Sequence, residues 1–242
     1  MILTNRQASK AKSQGLAEVI GGEIVRSDIP ATAHLPTERE LADVHQTSRV
    51  TIRESIAKLV EWGLLQVRRG SGMVVRPRST WSFSALPLAV RAIDDPTALQ
   101  RVVRDLLALR RALVLHGTQL AAGRVKKGSL QAARAVVGRA NEERSLEGFV
   151  AADLEIMRNV LTSAELWPQL WLINDMTRSY LELVVDTWPV PPVPDDYLAV
   201  HHAYFDAIEN GDAAEACSIF GDYLLRLDGA LCASLGIPLE QP

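Results

Sequence analysis

A chain of 242 residues with 48% hydrophobic and 23% charged side chains carries enough apolar material for packed cores, which excludes a disordered class and leaves room for two domains. The net charge of −3 conceals an asymmetry: residues 1–78 hold twelve Lys and Arg against eight Asp and Glu, and the remainder holds fourteen against twenty-one. A basic head on an acidic body suits a nucleic-acid module joined to something that avoids DNA. No apolar signal core opens the chain and no run approaches the ~18–20 apolar residues of a membrane span, so a cytoplasmic protein without a membrane partner is expected. Cys217 and Cys232 have no C-x-x-C spacing and read as buried thiols of a reducing compartment.

Leu16, Val19, Ile20 and Ile24 recur at helical spacing and predict a first helix from about Ala11 to Val25. Ser27-Asp28-Ile29-Pro30 ends it, because the residue before a proline is pushed out of the α region. Thr37 then caps a second helix with Glu40 at capping-box spacing. That helix runs to about Val44 and gives way to a tight turn at His45-Gln46-Thr47. Ser48 caps a third helix reaching Trp62, with Ile52, Ile56, Leu59 and Val60 as its buried stripe and Gly63 as its stop. Residues 64–68 and 73–76 read as two short strands around Arg69-Gly70-Ser71-Gly72, a hairpin wing.

Residues 79–96 are expected to link this 1–78 domain to a second one over 97–242. Helical segments are predicted at roughly 85–93, 97–122, 129–145, 147–163, 166–187, 194–210 and 212–235, with no strand-like alternation of any length. The fold class is therefore mainly α: an N-terminal winged helix-turn-helix followed by an all-α bundle large enough to enclose a pocket.

The order helix, turn, helix, glycine-tipped hairpin points to double-stranded DNA as a partner. A helix fits the major groove and reads base edges near its N-terminal end. Arg49 is placed for a bidentate contact to guanine, Arg53 one turn on for a base or phosphate, and Thr51 for a phosphate or thymine methyl. Ser48 and the helix amides suit a phosphate, and Arg39 could cross the backbone or reach inward to a guanine. Arg69 and Gly70 bring charge and close backbone approach to a minor groove.

Residues 12–76 resemble the DNA-binding domain of the GntR family of bacterial transcriptional regulators. The resemblance is carried by Leu35-Pro36-Thr37-Glu38-Arg39-Glu40-Leu41-Ala42, Ser48-Arg49-Val50-Thr51-Ile52-Arg53-Glu54, Gly63-Leu64-Leu65 and Arg69-Gly70-Ser71-Gly72. It implies DNA contacts at Arg39, Ser48, Arg49, Thr51, Arg53, Arg69 and Gly70, a homodimer on a palindromic operator, and a small-molecule effector, most often relieving repression. The remainder resembles the effector domain of the FadR subfamily through Asp105–Ala112, Phe149-Val150-Ala151-Ala152-Asp153 and the stretch from His201 to Asp212.

Many relatives of that subfamily hold a divalent metal with one aspartate and three histidines. The aspartate is kept as Asp153 and one histidine as His201, but the other two positions carry Met157 and Tyr223. A structural zinc-like site usually needs four ligands and an open one three, so no cofactor is expected. The resemblance then points to the metal-free branch, which senses fatty acyl-CoA, with Arg110, Asp153, Met157, His201 and Tyr223 around the effector. A metal-dependent sensor of a small carboxylate is the alternative. Trp167, Trp171 and Met176 could extend the apolar wall.

An enzyme would need more. No Gly-rich phosphate loop, G-x-S-x-G elbow or H-E-x-x-H occurs, and Asp153 with His201 lacks an activating third group.

Overall fold

The computed structural model describes every residue except 1, 27–28, 69–71, 143–144, 188–193 and 238–242. The chain divides into two compact units, Met1–Pro96 and Thr97–Pro242.

In the first unit, α1 (Ile2–Val25) starts ahead of the Ala11 indicated by apolar spacing. It packs on α3 (Arg49–Glu61), where Ala17, Ile20 and Ile24 meet a core containing Ile52, Ile56 and Leu59. The buried Ser55 hydroxyl lies 2.9 Å from the Ser13 carbonyl oxygen, a polar tie inside that apolar seam. Val60, expected in the buried stripe, is instead 40% exposed. Its neighbour Leu59 takes the core position, and one residue along a helix turns the side chain by about 100°. Between them α2 (Glu38–Val44) is closed at its N-terminus by the predicted capping box, with Thr37 and Glu40 bonding each other's backbone.

Gly63 leaves α3 at φ +75°, where a Cβ would fall 2.5 Å from the Thr80 carbonyl oxygen, so only glycine fits. The chain then enters a three-stranded antiparallel sheet in the order β1 (His34–Leu35), β3 (Gly72–Val75), β2 (Leu65–Arg68). The register places Leu65 opposite Val75 and Arg68 opposite Gly72. Leu65, Met73 and Val75 turn inward. β1 was not expected, since two residues carry no readable period.

Residues 79–96, expected as a connection, carry structure of their own. Two 3-10 turns lead into α4 (Leu86–Arg91), and Leu88 joins the core of the first unit. Ser82 donates its backbone N–H to the Trp62 carbonyl, fastening the segment to the end of α3.

The second unit is all helical among the described residues: α5 (Pro96–Ala122), α6 (Gln131–Ala140), α7 (Leu146–Ser163), α8 (Trp167–Thr187), α9 (Tyr197–Glu209) and α10 (Ala213–Ser234). α6 packs on α7 and α9, α7 on α8, and α9 on α10. Ser145 and Asp212 cap α7 and α10 through the backbone N–H groups of Gly148 and Glu215. The shared core is built from Ile156, Val160, Tyr204, Phe205, Ile208 and Phe220.

Candidate functional site

Among the described residues two places stand out, one in each unit. At the N-terminal end of α3, Ser48 accepts the Thr51 backbone N–H at 3.1 Å and its hydroxyl lies 2.9 Å from that of Thr51. Thr51 is only 8% exposed, so its side chain completes the cap and faces inward. Arg49 and Arg39 are exposed. Arg53 is also exposed, but its guanidinium binds the Glu38 carboxylate of α2 through Nε and Nη2, the latter at 2.8 Å. Arg53's hydrogen bond holds the Glu38 carboxyl below its ordinary range, with the Arg49 charge acting in the same direction. Arg49 and Arg53 thus share one field at this end of the helix. Arg69 and Gly70 lie outside the described residues. Arg68 and Gly72, which flank them on the wing, are exposed.

The second place is a cavity of about 130 Å³ in the helical unit. α7 presents Phe149, Asp153 and Met157 to it at four-residue spacing, one above another on the same face. α5 adds Arg110, α8 adds Met176 and Thr177, and α10 adds Phe220 with three leucines. Apart from Arg110, Asp153 and Thr177, the described lining is apolar.

His201 and Tyr223 are not in that lining. They sit beside it, fully buried, with rings 5.1 Å apart and each 5.4 Å from Phe220. Tyr197 joins the groups: its hydroxyl donates to Asp153 at 2.9 Å, and its backbone carbonyl lies 2.8 Å from His201 Nδ1. A carbonyl can only accept, so Nδ1 carries the proton and Nε2 is left as an acceptor. Among the described residues neither Nε2 nor the Tyr223 hydroxyl has a hydrogen-bond partner.

Burial pushes the His201 imidazole down to about 4, so it is neutral at pH 7. Burial lifts Asp153 to about 6, against the Tyr197 hydrogen bond and the positive charge of Arg110. Burial likewise raises the Tyr197 and Tyr223 phenols.

Arg110 lines the cavity but is also tied to Asp228 of α10, a fully buried carboxylate that Arg111 binds as well. Two guanidiniums therefore balance one buried acid, as a buried charge requires. Trp167 and Trp171, expected to extend the wall, are 45% and 63% exposed and point away from the core, whereas Met176 does reach the cavity.

The donor set does not fit a divalent ion. Two of the four positions carry a thioether and a phenol, and Asp153 accepts from Tyr197. Among the described residues no three His, Cys, Asp or Glu side chains converge. His202, the other nearby imidazole, is exposed and faces Arg134 at 3.1 Å.

Tyr197 and Asp228 escaped the sequence reading. Tyr197, His201, Tyr204, Phe205 and Ile208 form one helical stripe on α9, and Asp228 interrupts the apolar stripe of Phe220, Leu224, Leu227 and Leu231 on α10. A polar group inside a buried stripe was the available signal.

Residues 12–75 match the bacterial regulatory proteins of the gntR family, and residues 105–225 match the FCD domain. The chain belongs to the gntR family. It is 30% identical over 217 residues to an Escherichia coli protein named for regulation of the L-lactate dehydrogenase operon, covering 83% of this chain and 79% of that one. It is 28% identical over 221 residues to the Escherichia coli galactonate operon transcriptional repressor, covering 86% and 92%. A solved structure of Lar, which controls expression of the Listeria monocytogenes agr system, shares the fold at TM-score 0.59 and 18% identity, covering 92% of this chain and 95% of that one. The gntR-family chain is thus a DNA-binding transcriptional regulator with an FCD effector domain, and not an enzyme. No helix among its described residues is long and apolar enough to cross a membrane.

Proposed function

We propose that this regulator is a cytoplasmic homodimeric repressor that binds a palindromic operator through α3 and the wing and releases it when a small apolar effector enters the helical unit. One observation carries the reading: an exposed helix end with two arginines and an apolar-lined cavity occur in the same chain. The galactonate repressor, similar over most of its length, supports repression as the sign of control. The operator contacts are Arg39, Ser48, Arg49 and Arg53 from the helices and Arg69 with Gly70 from the wing; Thr51 acts through the cap of α3.

For the effector, the apolar wall favours an acyl group over a polyhydroxylated acid, which would find few partners among Phe149, Met157, Leu224 and Leu227. A cavity near 130 Å³ is comparable to one that takes a benzene-sized molecule, so it accommodates a short acyl segment and leaves a coenzyme A headgroup outside. Asp153 and Arg110 mark the polar end, and His201 and Tyr223 are the reserve hydrogen-bonding groups behind Phe220.

The test is a mobility-shift assay of the full chain on its own upstream DNA, titrated with acyl-CoA species of increasing chain length. Release of DNA that depends on chain length and weakens in Met157→Trp is expected. Release only by a small carboxylate together with a divalent metal would replace this reading with the metal-dependent one.

A further inference from the structure

The first turn of α3 divides sharply. Thr51 and Ile52 face inward, at 8% and 0% exposure, while Arg49 and Val50 face out. Val50 is 64% exposed and belongs to none of the core clusters of its unit. A β-branched residue is a poorer helix former than alanine or a long polar residue, so neither packing nor local propensity explains a valine here. Further along the same helix Arg53 is exposed but charged, and the next exposed branched aliphatic is Val60, 40% exposed and far from the N-terminal end. An exposed isopropyl group thus neighbours Arg49 in the chain, at the end of the helix where base edges are read.

In the major groove the apolar feature that distinguishes one base from the others is the C5-methyl group of thymine. We infer that Val50 is a specificity-determining residue that packs its side chain on a thymine methyl, next to the base pair contacted by Arg49. This rests on the reading of α3 as the groove-binding helix. The apolar role that Thr51 was expected to play falls to its neighbour, because Thr51 spends its hydroxyl on Ser48 and its surface on the core. Successive helical residues advance about 1.5 Å along the axis and swing about 100° around it. Val50 therefore reaches a base pair adjacent to that of Arg49, or the next one.

The experiment uses the full chain and duplexes selected from a random pool. Each thymine of the selected half-site is replaced in turn by deoxyuridine, which removes the methyl group and leaves every hydrogen-bonding atom in place. For the natural chain, one such replacement lowers affinity about fourfold per half-site, the effect of withdrawing one methyl-sized apolar contact. In Val50→Ala, which keeps the helix and its thermal stability, affinity for the thymine duplex falls by a similar factor, the deoxyuridine penalty disappears, and selection at that position relaxes. The Arg49 guanine preference stays.

Two results overturn the assignment: a natural chain indifferent to deoxyuridine at every position, or a Val50→Ala variant that keeps the full penalty. A chain that selects no sequence at all overturns the groove-helix reading with it. Selective binding that ignores the methyl group removes only the role of Val50.

Discussion

At Arg53 a guanidinium that could face a phosphate already has a carboxylate, Glu38, at 2.8 Å. Exposed pairs of this kind are worth about 1 kcal/mol or less, so DNA can take the arginine over at small cost. Glu38 remains close by as a negative charge, repelling the phosphate backbone. Glu38→Gln is therefore expected to tighten DNA binding several-fold at low salt and to steepen its salt dependence, since one more cation is left to displace counterions. Arg49 is different. Arg49→Ala costs about 1–3 kcal/mol on the operator and relaxes preference at one position. Titrations of both variants on specific and random duplexes at several salt concentrations check this, and a Glu38→Gln variant with unchanged salt slope would remove the pair from the binding account.

At the scale of elements, α7 and α9 each bring an ionisable group to Tyr197, and the two groups' shifts have opposite signs. Asp153 is raised from 3.8 to about 6, so the fold prefers its protonated form; the stability it contributes is present at low pH and is lost as pH rises through 6. His201 is lowered from 6.5 to about 4, so the fold prefers the neutral ring; its contribution is present above 6.5 and is lost as pH falls through 4. Each shift corresponds to about 3 kcal/mol at most, and the two nearly cancel between pH 6 and 4. Separating them exposes each. Asp153→Asn is expected to lose stability steeply as pH falls from 6 to 4, and His201→Gln to gain it, both read from denaturant melts. Parallel pH profiles for the two variants would show that the groups are not buried together.

The same elements show what a sequence can and cannot disclose. α5 to α10 were legible because buried faces repeat every three or four residues, and the capping oxygens of Thr37 and Ser48 were legible because a cap is a local event within three residues. β1 was not, since its partner β3 lies some forty residues away and two residues hold no pattern. Trp167 and Trp171 misled for a related reason: periodicity gives a face but not what covers it. Asp153, Met157 and Arg110 were placed at the cavity by resemblance, whereas Tyr197, which bonds Asp153, and Asp228, which binds Arg110, become evident only when helices far apart in sequence are packed.

For the whole molecule, the question is how a ligand among α5, α7, α8 and α10 could alter binding by α3. A ligand shifts an equilibrium only by its difference in affinity for the two states, so the proposed switch requires two spacings of the DNA-binding units, one matched to the operator. The proposed homodimer would supply that requirement. The helical unit leaves Leu109, Trp171, Leu172 and Leu225 exposed on α5, α8 and α10, apolar surface available for pairing. Two-fold symmetry then dictates two inverted half-sites separated by about one helical turn, near 10 base pairs, or a multiple of it. Inserting about 5 base pairs between the half-sites rotates one to the opposite face of the duplex and is expected to reduce affinity to that of a single half-site. Inserting a full turn restores the face but changes the distance, so recovery should be incomplete, and effector should no longer weaken binding by the same factor. Sedimentation of the free chain at micromolar concentration should give a dimer under the same conditions. A monomer that binds the half-turn insertion as tightly as the natural spacing would defeat both the dimer and the spacing switch.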